Sequence, residues 1–498
     1  MLKYFVGVDL GTGSTKAVAV DADGSVLYTS QKHYPTSNPQ PGYSEQNPCL
    51  IWDAFVFCIN DVTATIGSIP VAVSFSAAMH SVMAINSEGE PLSNAIQWAD
   101  ARSGDIAQSI RDSTQGEDIY RHTGTAIYAM SPLCKIIWWR NNDYPLYNNA
   151  HKFISIKEYI WYKLFGVFEI DHSIASATGL FDILALDWYD QAMALAGLTP
   201  DKLSVPVATK HSRSSHLLST VFKDITAETK FVIGASDGCC ANLSGNAIQP
   251  GIGAITIGTS GAVRIGSDEP IYNFEAMTFN YLLDENTFIC GGAVNNGGAA
   301  LDWLLQNFLK LTDITTETYE GVFGEIDKVK PGSNGLLFLP YLYAERAPVW
   351  DAKSSGAFLN IRFSHSREHF LRAGLEGICF ALNDVLSAVQ HSLQPIDEIV
   401  ISGGFISSKI WVQMLADITG KRLVVQQTED ASAIGAIYLA MSAFGVDIDV
   451  IREKDAGHRQ VTEPNMTNHG IYNQTFAVYQ KLYKNLKESM HLMHNLNN

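Results

Sequence analysis

Basic residues are in deficit, cysteines are few, and no apolar run is long enough to cross a bilayer. Lys and Arg number 34 against 51 Asp and Glu, a formal net charge of −17 over 498 residues. Nucleic acid and anionic membranes both demand a basic surface, so neither is an expected partner. A membrane helix needs roughly 20 consecutive apolar residues, and no such run is read here. The seven cysteines (Cys49, Cys58, Cys134, Cys239, Cys240, Cys290 and Cys379) are odd in number and lack CxxC spacing. Reduced thiols in a cytoplasmic protein are the expectation. A strand is expected to open at Tyr4, and no signal peptide is expected before it. The GxxxxGK[ST] phosphate loop is missing as well, and so is any low-complexity linker.

What is present is the material of a globular chain, 46% hydrophobic and 17% charged. Single cores rarely exceed about 250–300 residues, so two domains are expected. Strand-like and helix-like segments alternate throughout, which indicates α/β architecture. The boundary is expected near residue 229: a first domain over 1–228, a second over 229–455, and a tail over 456–498. In that tail Tyr472, Phe476, Tyr479, Tyr483 and Leu486 recur at 4-3-4-3 spacing, one apolar stripe of a helix docked on the body.

Two stretches read as one device used twice. VGVDLGTGSTKAVAV (Val6 to Val20) and GAITIGTSGAVRIG (Gly253 to Gly266) each place apolar β-formers around a Gly-Thr/Ser-Gly turn. The glycines can take φ > 0, and such turns gather N–H groups and hydroxyls that suit phosphate oxygens. Between the two lies FVIGASDG (Phe231 to Gly238), an apolar strand ending in Asp237. Two phosphate-cradling hairpins and one acid are what phosphoryl transfer needs.

Each candidate residue has a plainer alternative. Asp9, beside the first turn, can hold Mg²⁺ or simply bond the turn's own backbone. Lys16 can reach a phosphate or face solvent. Asp237 is either the N-cap of the next helix or the carboxylate that takes a proton from an attacking hydroxyl. Cys239 and Cys240 read as small packing residues. His80, Trp98, Asp100 and Arg102, from AAMHS and QWADARS, offer an aromatic wall with donors and acceptors suited to a polyol, although a lone His is usually structural and an Asp-x-Arg pair usually a surface ion pair. In SGGFISSKIW (Ser402 to Trp411) a Gly-Gly turn precedes a helix N-terminus, which lets a flat ring or phosphate approach.

Taken in order, DLGTGSTK, AMHS, WADAR, ASDG, IGTSG, PYLYAERAP and SGGFISSKIWVQMLADI resemble the FGGY family of carbohydrate kinases from about residue 4 to 445. The resemblance implies two ribonuclease-H-like domains of the actin and sugar-kinase type around a central cleft, with ATP and a sugar as the bound small molecules. It also implies a general base at Asp237, and sugar-lining positions at His80, Trp98 and Asp100 with Arg102 beside them. Gly11, Thr12, Gly13 and Thr259 match the phosphate turns, Gly298, Gly404 and Ser408 lie near the nucleotide, and Asp9 matches the Mg²⁺ position. Within the family, FSAAMHSVMAI, YRHTGTAIYAMSPLCKI, GAVNNGG and LPYLYAERAPVW look like the gluconate-kinase branch. This implies transfer to O6 of a sugar acid, and a homodimer is compatible with it. Another FGGY kinase, for xylulose, ribulose or a different sugar acid, is the alternative, followed by a non-catalytic ATP- or sugar-binding regulator. Ala126, Ala129 and Ala344 depart from the branch, the first two standing where prolines are common and the third where Gly usually precedes Glu-Arg. Arg102, Lys135 and Lys157 are the candidates to hold the sugar's carboxylate.

Overall fold

Apolar β-formers flanking the first glycine turn pair as their pattern predicts: Tyr4–Leu10 and Ser14–Asp21 run antiparallel, with Asp9 opposite Lys16. The computed structural model describes residues 3–216, 218–390, 395–426, 430–456 and 460–496. This hairpin is the centre of a six-stranded sheet. Val26–His33 adds an antiparallel edge to it, and Ala72–Ala77 then Lys230–Ser236 extend the other side in parallel. The second hairpin, Ile252–Ile257 with Gly261–Ser267, is the centre of a seven-stranded sheet built the same way. Thr287–Val294 is its antiparallel neighbour, and Glu398–Ser402 then Arg422–Val425 extend it in parallel. Three antiparallel strands followed by two parallel ones, twice over, is the ribonuclease-H-like arrangement expected for both domains.

One expectation is corrected. Lys230–Ser236, taken to open the second domain at residue 229, belongs to the first sheet, where Phe231 lies opposite Val73. Its apolar sequence suits either sheet. Gly234 settles the placement: φ is +71° there, and a Cβ would sit 1.9 Å from the Phe75 carbonyl oxygen. Only a glycine permits that approach, and it coincides with the bulge between Val232 and Ala235. The chain therefore changes sheets after the helix Asp237–Ser244, not before it. Later, Ala431–Ala443 returns to the first sheet and packs on its opening strand. Gly7 and Gly435 make room for it, since a Cβ on either would come within about 2 Å of a backbone oxygen. Cys239 and Cys240 are fully buried against this helix in one core cluster, as small packing residues. All seven cysteines are free.

Helix Pro48–Ile66 starts from an Asn47 cap that accepts from the Cys49 amide, and it stops at left-handed Gly67. Its length and apolarity would pass for a membrane span by composition alone, which the residue count above did not single out. Ile51, Phe55, Cys58, Ile59 and Val62 are instead buried, and the helix packs on the strands Ser14–Asp21 and Val26–His33. At the other end of the chain, Met466–Leu496 docks through the predicted stripe. Tyr472 and Tyr479 are buried and pack with Phe380, while Phe476, Tyr483 and Leu486 are partly buried beside them. Inside this contact the Tyr472 hydroxyl bonds Glu376, which also pairs with Arg372 at 2.9 Å.

Candidate active site

The two glycine hairpins end at a cleft with three adjoining chambers. Neither turn uses a left-handed glycine: Gly11, Gly13, Gly258 and Gly261 all lie outside the positive-φ set, contrary to the sequence expectation. The glycines contribute open space instead. A Cβ on Gly13, Gly258 or Gly404 would meet nothing within 4 Å, so ligand atoms can approach the backbone there.

The first chamber, of about 330 Å³, is lined by Thr12, His80 and Trp98 from the N-terminal half and by Arg264, Tyr281 and Arg346 from the C-terminal half, with Asp237 at its wall. His80 sits on a left-handed backbone (φ 66°), a sparsely populated conformation for a non-glycine residue. Its Nδ1 lies 2.8 Å from the Ala177 carbonyl oxygen and its Nε2 lies 3.1 Å from the Tyr281 hydroxyl. Burial, with the Lys135 charge nearby, lowers its pKa to about 3, so the ring is neutral. The Trp98 indole N–H donates to the Thr12 hydroxyl at 3.1 Å, which ties the aromatic wall to the first glycine turn.

The second chamber, of about 710 Å³, is lined by Asp9, Lys16, Asp237, Arg264, Gly403 and Asp430 among others. Asp9 accepts from the Ser76 hydroxyl at 3.0 Å. Burial and then the Asp237 charge raise its pKa to about 7. Lys16 pairs with Asp430 at 2.6 Å. Asp237 is the first residue of its helix and is not the cap. Ser236 takes the capping role by accepting from the Cys239 amide, which leaves the Asp237 carboxylate free to face the cleft. Burial raises its pKa, while the Arg264 charge and the Gly238 amide (2.7 Å) oppose that rise. Asp237 and Arg264 line both chambers, so the acid stands where they meet.

The third chamber, of about 330 Å³, brings together Thr259, Gly298, Gly404 and Ser408 with the rings of Tyr319 and Trp411. These four residues come from three separate segments of the chain, Gly404 and Ser408 sharing one, and the fold places them around one space. The Ser408 hydroxyl is occupied as a helix cap, accepting from the Trp411 amide at 3.3 Å.

Two of the four sugar-lining candidates stand elsewhere. Asp100 is buried behind the first chamber, accepting from the Ser44 amide at 2.7 Å and from Arg102. Arg102 bridges Asp100 and Glu45 and stacks on Tyr43, 3.8 Å from its ring centre. This closed cluster shapes the wall, and neither side chain lines the chamber. Ala126 and Ala129 are also buried outside the chamber lining, so these departures do not alter its surface. Ala344 occupies φ 53°, a left-handed conformation that suits glycine. An Ala344→Gly substitution is expected to stabilise the protein by roughly 0.5–1 kcal/mol in a denaturant titration, and a loss of stability would contradict the strain.

The lysines considered for a carboxylate are both engaged. Lys157 pairs with Asp171 at 2.7 Å and donates to the Ala235 carbonyl. Lys135 donates to the carbonyl oxygens of His80 (2.7 Å) and Gln97 (2.8 Å), so a single ammonium holds the two loops that carry His80 and Trp98. Burial lowers its pKa to about 7, and the Asp100 charge opposes that shift. Lys135→Met leaves both carbonyls without a donor. It is expected to destabilise by roughly 2–3 kcal/mol and to raise the sugar KM more than the ATP KM. Equal effects on both KM values would show that Lys135 supports the whole fold and not the sugar loops.

Arg264 and Arg346 face the first chamber and were not singled out from sequence. A signal was available for Arg264: it is the one charge in the strand Gly261–Ser267, on the face set by Thr256 opposite Ala262. Arg346 lies inside the quoted segment PYLYAERAP but carried no distinguishing pattern.

Known proteins place this geometry. The N-terminal domain description of the FGGY family of carbohydrate kinases matches residues 4–244, and the C-terminal domain description matches residues 253–444. The two spans meet where the chain changes sheets. A gluconokinase from Bacillus subtilis is 40% identical over 455 residues, 89% of this chain and 88% of that protein. Two solved structures from Lactobacillus acidophilus are similar over nearly their full length. The gluconate kinase has a TM-score of 0.92 at 32% identity, covering 98% of both chains. The ligand-bound xylulose kinase has a TM-score of 0.93 at 31% identity, covering 99% of this chain and 100% of that one. With both domains matched in order and two glycine hairpins meeting at a half-buried aspartate, this chain belongs to the FGGY family of carbohydrate kinases.

Proposed function

We propose that this chain transfers the γ-phosphoryl group of ATP to O6 of D-gluconate, giving 6-phosphogluconate. The observation that carries the reaction type is the place of Asp237, one carboxylate shared by the chamber with the aromatic wall and the chamber with the phosphate turns. The sugar hydroxyl lies against Asp237, which accepts its proton as oxygen attacks phosphorus in line. Burial makes the carboxylate a stronger base, and Arg264 keeps it from being too readily protonated. ATP lies with its adenosine in the third chamber, beside Tyr319 and Trp411, and its phosphates between the hairpins. Asp9 and Asp237 offer hard oxygen donors to a Mg²⁺ ion. The fit is supported by two carboxylates lining one chamber, Asp9 and Asp237, with the Asp9 pKa raised first by burial and then by the Asp237 charge. The ion would neutralise charge on the phosphates.

Domain closure expels water so that the sugar hydroxyl, not water, meets the phosphate. His80 and Trp98 hold the polyol from the N-terminal half. Gluconate is favoured by the 40% identity to a gluconokinase and by two guanidiniums in the sugar chamber. The fold does not discriminate, since a xylulose kinase is superimposed equally well. Small-molecule partners and a cytoplasmic setting complete the proposal.

The test is ATP-dependent ADP release with Mg²⁺ across gluconate, xylulose, ribulose, glycerol and no sugar. Turnover concentrated on gluconate is expected. Turnover on a ketopentose with gluconate inert would overturn the substrate, and sugar-independent ATP hydrolysis alone would overturn the transfer.

A further inference from the structure

Charge inside the sugar chamber is unbalanced. Arg346 is 8% exposed and lines that chamber beside Trp98, its guanidinium 5.5 Å from the ring centre. Among the described residues its Nε is buried with no hydrogen-bond partner, and its side chain makes one bond, 3.2 Å to the Val294 carbonyl. Among the described residues no carboxylate comes within ion-pair distance of this guanidinium. Glu345, its neighbour in the chain, spends its oxygens on the Asn295 amide, the Asn296 side chain and the Arg346 backbone amide. A second guanidinium, Arg264, faces the same space, has no side-chain hydrogen bond or ion pair among the described residues, and repels the first. The Glu345 charge favours the Arg346 guanidinium from beyond ion-pair distance, but burial outweighs it, so the cation stays costly unless a further anion arrives.

The two arginines stand at different parts of the chamber. Arg264 is next to the base: a Cβ on Gly238 would meet its Nε at 3.0 Å. Arg346 is on the side of Trp98 and His80, and its charge acts on His80, whereas both arginines act on Tyr281. An open-chain sugar acid carries its anion at C1 and its reacting hydroxyl at the opposite end. From this juxtaposition we propose that Arg346 anchors the C1 carboxylate of the sugar acid, so that the chain runs along Trp98 and presents its terminal hydroxyl to Asp237. Arg346 thereby selects acids over neutral sugars of the same length. Pairing with a carboxylate is what a planar guanidinium lining the chamber can supply. The inference rests on the sugar-acid reading above.

D-gluconamide, the neutral isostere of gluconate, tests it. Calorimetric binding of gluconate and gluconamide is measured on wild type, Arg346→Gln, Arg346→Lys and Arg264→Gln, with kcat and KM for gluconate alongside. Wild type is expected to prefer gluconate by roughly 10²-fold, and Arg346→Gln to erase that preference with a KM increase of similar size and kcat changed far less. Arg346→Lys should recover part of the preference, and Arg264→Gln should keep it. A wild type that binds both compounds equally overturns the proposal, as does an Arg346→Gln protein that still prefers gluconate. Should the glutamine variant fail to fold, an undiminished preference in Arg346→Lys overturns it equally. Phosphorylation of gluconate with the preference intact in Arg346→Gln sinks this inference alone. A wild type that phosphorylates neutral sugars and ignores gluconate sinks the functional proposal as well.

Discussion

Asp237→Asn is expected to cut kcat on the order of 10²–10⁴-fold while leaving the KM values for sugar and ATP within a few-fold. The substitution preserves shape and the hydrogen bond accepted from Gly238, because an amide oxygen can replace the carboxylate oxygen there. It removes the one group shared by both chambers that can take up the hydroxyl proton. Helix stability should be little affected, since Ser236 and not Asp237 caps the helix. Steady-state kinetics with ADP release, together with a denaturation curve, separate the two readings. Turnover at the wild-type rate would end the assignment of Asp237 as base. A parallel loss of stability and turnover would make it a structural residue.

The second large effect is a pH dependence of stability centred on Asp9. Its folded-state pKa is raised to about 7, first by burial and then by Asp237, against an unfolded value near 3.9. Because the folded state holds this proton more tightly, stability from this group is complete below about pH 4 and is lost as pH rises through 7. In the absence of nucleotide and Mg²⁺, wild type should lose on the order of 3–4 kcal/mol relative to Asp9→Asn between pH 4 and pH 8. Asparagine can still accept from Ser76, so the comparison isolates the charge. Urea titrations of both proteins across that range provide the measurement. Parallel profiles would mean that Asp9 is not held under electrostatic strain. The direction has a functional sense: a half-buried acid costly to ionise is one that a cation among the phosphates would relieve.

Much of this molecule is written locally. Both glycine hairpins, the strand that delivers Asp237, the helix begun at Ser408 and the apolar stripe of the final helix were legible because each depends on period and turn chemistry within a dozen residues. Thr259, Gly298, Gly404 and Ser408 could be named, although only the fold shows them around one chamber. Charged side chains were less legible. Asp100 with Arg102, Lys135 and Lys157 looked available to a ligand, but each is satisfied within the protein by partners brought from elsewhere in the chain. Arg346 looked ordinary, and the fold buries it with no carboxylate within ion-pair distance among the described residues.

The amino-acid sequence by itself determined the α/β class, the repeated hairpin device and the acid between its two copies. Backbone periodicity and glycine turns act over short range and need no distant partner. Tertiary structure alone decided which sheet Lys230–Ser236 joins, since an apolar strand fits either core until Gly234 meets Phe75. It also decided which cations face the cleft. A charge is defined functionally by whether anything neutralises it, and those neighbours are set by long-range packing.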